Sequence, residues 1–308
     1  MRGPAIALVV VALVGIIRVA VFATRKFEAH VHRAALAEAD TNVDRIVAKI
    51  GHGEAPELAG TLTESDVDAV RRAAESKDPQ QERRLGAIYR YGLGAPKSDL
   101  EAFQWISMAA IAGDPIAQND LGAMYRDGAG VITSYPEAMR WFQMAAAQGF
   151  ATAQANLGNM YASGWGVQHD DSEAVKWFQK SAEQGDGTGE NYLAWMYAKG
   201  HGVSQDYGEA LNWFRRAADQ HDASAENNLG KMYEHGWGAD KSYDEALKWY
   251  RRAAEHGYGP AEYNLGKMHE NGFGVHADKH TAEEWYRKAA AHGDSDAKDS
   301  LAKMAQSP

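Results

Sequence analysis

A strict internal repeat of 36 residues runs through most of this 308-residue chain. Its clearest marks are a leucine column and a tryptophan column, each advancing by 36 residues with no insertion or deletion. The columns consist of Leu85, Leu121, Leu157, Leu193, Leu229, Leu265 and Leu301, and of Trp105, Trp141, Trp177, Trp213, Trp249 and Trp285. A unit of this length cannot bury its apolar face alone, so the sequence predicts a stacked array of similar units.

Each copy of the repeat is predicted to form two helices. In one copy, Ala153, Leu157 and Tyr161 are spaced by four residues and therefore share one face of a first helix. Gly164 is expected to end this helix with a positive φ angle. The second helix is expected to begin after an N-cap among the next polar residues, which are Asp170, Asp171 and Ser172.

Two columns predict how the helices of one repeat pack. Gly158 follows the repeat leucine and recurs as Leu-Gly in five of the seven copies. A helix-interior glycine costs about 1 kcal/mol relative to alanine, so its recurrence predicts that another helix crosses closely there. Trp177 shares a face of the second helix with Ala174 and Ser181. The tryptophan column is therefore predicted to pack in the core between helices.

These residues closely resemble the Sel-one-like repeat (SLR) family, a relative of the tetratricopeptide repeats, over about residues 81–301. The shared pattern is A-x3-LG-x2-Y-x2-G-x-G-V, an acidic cap, A-x2-W, an Ala pair and a closing Gly, which His221 replaces in one copy. The resemblance implies an all-α fold, a right-handed α-solenoid of helix-turn-helix repeats with the first helices on its concave side. It also implies a role in holding other proteins together, often at membranes or in signalling pathways.

The flanks suggest a division of the chain into four parts. The predicted parts are a transmembrane anchor or signal segment (1–27), a juxtamembrane helix and hinge (28–62), a degenerate capping helix (63–80), and a solenoid of six full repeats plus a C-terminal capping helix (81–308). The N-cap of the degenerate helix is expected at Thr63 or Ser65.

The first segment is predicted to be one membrane-spanning helix that precedes the solenoid. Residues 3–23 are almost uninterruptedly apolar and, as a helix, would span roughly 31 Å, about one hydrocarbon thickness. Arg18 lies near one end, where its long side chain can reach the headgroups. We expect a single-pass membrane protein whose repeats are exported to a periplasmic or extracytoplasmic space. The alternative is a signal peptide, which would leave a secreted protein after cleavage.

Charge and cysteine content exclude several function classes. The net charge is −10, and residues 1–27 carry four positive charges and no negative ones, which leaves −14 for the rest. Nucleic-acid binding depends on clustered Lys and Arg, so no nucleic-acid partner is expected. The chain has no cysteine, which excludes disulfides, thiolate metal sites and a cysteine nucleophile.

Motifs with catalytic or metal-binding potential are weak. Ser295 with Lys298, and Ser300 with Lys303, match the S-x-x-K motif of acyl-transferring hydrolases, but no companion S-D-N or K-T-G motif accompanies them. His276 lies four residues before His280 without an H-E-x-x-H motif. We therefore predict a non-catalytic protein with no catalytic residue, no cofactor, no metal site and no small-molecule substrate.

One stripe of the first helices, just outside the predicted core, is the candidate binding surface. Asparagine recurs on it at 36- or 72-residue intervals, and an amide carries both a donor and an acceptor that can hold a peptide backbone. Aromatic rings, which are enriched at binding hot spots, interrupt the column in one repeat. The predicted partner-binding residues are Asn156, Asn159, Tyr192, Trp195, Lys199, Asn228, Lys231, Asn264 and Lys267. The alternative is that the asparagines bond the neighbouring repeat.

The predicted function is that of a membrane-tethered scaffold or adaptor. It would bind a protein or peptide through the concave face formed by the first helices, and bind the membrane through residues 3–23. Two alternatives remain from the sequence: an exported repeat protein with hydrolase-type activity, and an envelope assembly factor.

Overall fold

The computed structural model describes residues 31, 33–50 and 61–306, and these residues form helices and short connections without a strand. The first helix, α1, covers 33–50. The others are α2 (Glu64–Ala74), α3 (Pro79–Tyr91), α4 (Asp99–Ile111), α5 (Pro115–Asp127), α6 (Tyr135–Ala147), α7 (Ala151–Ser163), α8 (Asp171–Glu183), α9 (Gly187–Lys199), α10 (Tyr207–Asp219), α11 (Ala223–His235), α12 (Tyr243–Glu255), α13 (Gly259–Asn271), α14 (Lys279–Ala291) and α15 (Ser295–Gln306). The predicted all-α solenoid of paired helices is confirmed.

The chain divides into two compact units, one ending at Asp114 and the other beginning at Pro115. In the first unit, α1 to α4 share one apolar core, in which Ile46 and Leu85 are fully buried. Thr63 is the N-cap of α2 and forms a capping box with Asp66. Thr63 is one of the two residues predicted for this cap. The predicted segment 1–27 lies outside the described residues, and no helix of the described part is long and apolar enough to cross a bilayer.

The second unit repeats one helical hairpin from α5 to α14 and ends with the unpaired helix α15. The hairpin of α7 and α8 has the predicted boundaries. Gly164 ends α7 with φ +68°, and the carboxylate of Asp170 accepts a hydrogen bond from the Glu173 backbone at the start of α8. Second helices pack against the first helix of the following repeat, so each hairpin covers the apolar face of its neighbour.

The column that fills the core is one residue after the tryptophans. Phe142, Phe178, Phe214, Tyr250 and Tyr286 are at most 2% exposed. A Cβ atom added to Gly158 would lie 2.6 Å from the Phe178 ring, which confirms the predicted close crossing. The prediction that the tryptophan column forms the core holds for Trp141, whereas Trp177 is half-buried with the Lys180 ammonium 4.0 Å from its ring centre. Trp177, Trp213, Trp249 and Trp285 therefore cover the rim of the core beneath basic side chains.

Candidate functional site

Two of the predicted asparagines form hydrogen bonds between adjacent first helices. The side-chain amide of Asn156 on α7 donates to Oδ1 of Asn119 on α5 at 2.8 Å, and its own oxygen accepts from Arg126. The side-chain amide of Asn264 on α13 donates to Oδ1 of Asn227 on α11 at the same distance, and the Asn264 side chain is buried. For these two residues the structure supports the alternative that the asparagine links neighbouring repeats.

The pair Asn191 and Asn228 has the same spacing of 37 residues but a different geometry. No hydrogen bond joins these two amides or engages either of them within the described part of the chain. Both side chains are half-buried, and both line one cavity. Two amides therefore present donors and acceptors to this cavity that other repeats use internally.

The cavity has a volume of about 260 Å³ and lies between the first helices of three consecutive repeats. Its wall includes aromatic, apolar and small polar side chains. The lining residues are Asn159, Ala162, Ser163, Phe178, Asn191, Tyr192, Trp195, Met196, Ser224 and Asn228. A mostly apolar concavity with a few convergent polar groups is the usual form of a ligand site.

The aromatic part of the cavity is built by α8 and α9. The Tyr192 ring stacks on the buried Phe178 ring with 5.0 Å between the ring centres. Burial raises the pKa of the Tyr192 hydroxyl, while the positive charge of Arg126 opposes that rise. Trp195 is 41% exposed and stacks on His201, so a large apolar surface is held in place at the cavity mouth. Rigid amphipathic rings of this kind contribute most at protein interfaces.

Lysines form a positive row on three consecutive first helices near the cavity. They are Lys199 on α9, Lys231 on α11 and Lys267 on α13. Burial lowers the pKa of Lys231, and the charges of Lys267 and Lys199 lower it further, while Glu234 and Asp294 oppose this effect. Lys231 therefore lies close enough to Lys199 and Lys267 for their charges to interact, and the three lysines are called the cationic strip below.

The structure therefore separates the nine predicted residues into three groups. Four of them surround the cavity, namely Asn159, Tyr192, Trp195 and Asn228. The three lysines lie in the cationic strip, and Asn156 and Asn264 are engaged in bonds between helices. Sequence reasoning missed Asn191 and Ser224, although an asparagine column two residues before the leucine, at Asn119, Asn191 and Asn227, could have revealed the first.

The weaker motifs are on the surface. Ser295 and Lys298 are exposed on α15, and Lys303 is also exposed. His280 pairs with Glu284 at 3.4 Å, and both side chains are well exposed. Within the described residues, a group of three His and carboxylate side chains with ligand atoms within 4.8 Å of one another occurs elsewhere, at His221, Glu226 and His256.

The repeated hairpins define an α-solenoid, and the comparison with known families identifies the repeat family to which it belongs. The Sel1 repeat model matches residues 82–114, 115–150, 151–186, 188–222, 223–258 and 259–294. The chain belongs to the Sel1 repeat family, as the sequence pattern predicted. Proteins with this repeat are generally scaffolds for protein–protein interaction, and the fold is typically non-catalytic.

Solved structures support the same assignment. The chain is similar to a Sel1 repeat protein from Oxalobacter formigenes, with 32% identity and a TM-score of 0.68 over 81% of this chain and 99% of that one. It is also similar to a protective antigen of uropathogenic Escherichia coli strains that displays an SLR fold, with 33% identity and a TM-score of 0.62 over 85% of this chain. The match spans 59% of the length of that antigen. No curated protein matches the chain.

Proposed function

We propose that this protein is a membrane-tethered scaffold that captures an extended peptide segment of a partner protein on its first-helix face. The observation that carries the proposal is the cavity in which the amides of Asn191 and Asn228 lack partners among the described residues and meet the rings of Tyr192 and Trp195. The general scaffold role of Sel1 repeats supports it. The face that carries the cavity is proposed to be the concave one.

The chemistry of the cavity suggests the kind of peptide it would hold. An amide pair can donate to a backbone carbonyl and accept from a backbone N–H, whatever the peptide side chain is. A volume of about 260 Å³ suits one apolar or aromatic side chain, which would pack on Tyr192 and Trp195. The nearby strip of Lys199, Lys231 and Lys267 favours acidic residues beside that anchor.

The tether and the location rest on the sequence. Residues 3–23 are long and apolar enough for one span, and Arg25 and Lys26 follow them. We infer that the repeats are exported to an extracytoplasmic space and stay attached to the membrane, with a secreted form after cleavage as the alternative. Alkaline carbonate extraction of membranes that contain the full chain tests this. Retention of intact chain in the pellet is expected, whereas its release into the wash would reject the anchor.

Selection of peptides on the immobilised full-length chain tests the binding site. A library of random displayed peptides should yield sequences with one aromatic or large apolar residue next to acidic residues. Affinity for the selected peptides should fall at least about tenfold in Trp195→Ala and Asn228→Ala, since each removes a central contact. Trp237→Ala is the matched control, because Trp237 is similarly exposed, at 37%, but does not line the cavity. Failure to enrich any peptide, or equal binding by all three variants, would refute the site.

A further inference from the structure

In most repeats of the second unit, a buried polar residue in the first turn of the first helix contacts the end of the second helix. The residue three before the repeat leucine is Gln118, Gln154, Glu190, Glu226 or Glu262. In four of these repeats the residue 30 positions later contacts it at 2.7–2.8 Å, and these partners are Gln148, Gln184, Gln220 and His292. The repeat of α11 and α12 departs from this rule.

In that repeat the carboxylate of Glu226 lacks the usual contact. Its side chain is 0% exposed, and the corresponding partner, His256, has its Nε2 atom 3.9 Å from Glu226 Oε2. Arg252 Nε forms an ion pair with Oε1 at 2.5 Å, whereas Oε2 has no hydrogen bond within the described residues. Oε2 is therefore the incompletely compensated oxygen of this buried carboxylate.

A second histidine enters this cluster from an unusual backbone position. His221 has φ +64°, whereas the equivalent positions of the flanking repeats are Gly185 and Gly257, also with positive φ. A side chain at this position extends toward the end of α12, where the His221 and His256 rings meet edge to face with 6.0 Å between centres. One ligand atom from each of His221, Glu226 and His256 can be chosen so that all lie within 4.8 Å of one another.

We propose that His221, Glu226 and His256 form a binding site for a divalent transition-metal ion of the zinc type. Two imidazoles and one carboxylate are a common ligand set for zinc, and this set leaves a coordination position for water. The three ligands come from the α10–α11 connection, from α11 and from the end of α12, so the ion would clamp a first helix to both of its neighbouring segments. The ion would take Oε2 of Glu226.

Arg252 lies next to the proposed zinc site and affects both its affinity for the ion and the ligand atoms that the ion can use. Its guanidinium pairs with Glu226 Oε1, donates to the Ala218 carbonyl at 2.7 Å and lies 3.5 Å from His221 Nδ1. The ion would therefore use Nε2 of His221, away from Arg252. A guanidinium so close to a dication weakens binding through charge repulsion. The sequence motifs gave no hint of this site, because its histidines lie in different repeats and are brought together only by folding.

Calorimetric titration of the full-length chain in detergent, purified without a histidine tag, tests the proposal with ZnCl2 and with MgCl2. We expect one zinc ion per chain and no magnesium binding, since imidazole ligands favour zinc. Zinc should also raise the thermal unfolding midpoint, because it binds only the folded state. The variants His221→Gly and His256→Gln introduce residues that other repeats carry at the equivalent positions. Both variants are therefore expected to fold.

Each of these two variants should lose zinc affinity by at least about tenfold and lose the thermal shift. The matched control is His292→Ala, since His292 occupies the position equivalent to His256, contacts Glu262 at 2.7 Å and has Gly257 where the proposed site has His221. This variant should bind zinc as the wild type does. The proposal is overturned if zinc does not bind, if His221→Gly binds it equally well, or if His292→Ala loses as much affinity as His221→Gly.

Discussion

Replacing Gly122 by alanine tests whether the glycine after the repeat leucine exists to let two helices approach. Gly122 lies on α5 opposite the fully buried ring of Phe142 on α6. A Cβ atom added to Gly122 would lie 2.7 Å from Cδ1 and 2.8 Å from Cε1 of that ring. Carbon atoms prefer about 3.5 Å, so the ring would have to retreat by about 0.8 Å.

Two opposing effects decide the size of the change. Alanine is favoured over glycine by about 1 kcal/mol in a helix interior, which would stabilise the variant. Overpacking a dense core costs about 1–3 kcal/mol. Because Phe142 is 0% exposed and has no solvent side to move into, we expect the upper part of that range. The variant should therefore lose about 1–2 kcal/mol of unfolding free energy.

Equilibrium urea unfolding followed by circular dichroism measures this loss. The control is the reverse change, Ala194→Gly, since Ala194 occupies the equivalent position on α9 and is buried in the same cluster as Phe214. There the helices already accommodate a methyl group, so its removal should cost about 1 kcal/mol through helix propensity. If Gly122→Ala stabilises the protein instead, the glycine is not required for close packing and the reasoning is wrong.

Two further predictions concern polar side chains of the first helices. Burial raises the pKa of Glu190 despite its contacts with Arg216 and Gln220, so the folded state disfavours its ionised form, and stability is lost as pH rises above the unfolded value of about 4.5. Glu190→Gln should therefore be more stable than the wild type at pH 8 in thermal unfolding, with a gap that narrows toward pH 4; a gap that widens on acidification would contradict this sign. Asn264→Ala should lower the free energy of unfolding in urea by about 1–3 kcal/mol, because it leaves the buried side-chain oxygen of Asn227 without a donor. Asn228→Ala should change the unfolding free energy by less than about 0.5 kcal/mol, since no bond within the described residues depends on it, and equal losses in both variants would refute the distinction between bonded and open amides.

Much of the fold followed from spacing along the chain. The helix ends at Thr63, Gly164 and Asp170 agree with the predictions, because capping depends on local backbone geometry and on neighbouring side chains. The column that fills the core did not follow from the pattern. Trp177 and Phe178 are adjacent, and an aromatic residue recurs at both positions in most repeats. The sequence pattern favoured the tryptophan for the core.

The structure reverses that preference for a steric reason. At Gly122, Gly158, Gly230 and Gly266, an aromatic ring of the Phe178 column packs so closely that an added Cβ atom would lie 2.4–2.7 Å from it. The tryptophan indoles are displaced to the rim, where Lys180 and equivalent basic residues cover them. Which of two neighbouring apolar columns is enclosed depends on the rotation of one helix against the next, a quantity that a single-helix periodicity does not contain.

The binding surface shows the same division. The order of the residues alone predicts the repeat, the family, several helix ends and the stripe on which Asn156, Asn228 and Asn264 lie. The packing of the helices shows that Asn156 and Asn264 bond a neighbouring helix, whereas Asn228 lines a cavity with Asn191. The physical reason is that a hydrogen bond forms or fails within a few tenths of an ångström, and that distance is set by how three helices pack rather than by the spacing of residues in any one of them.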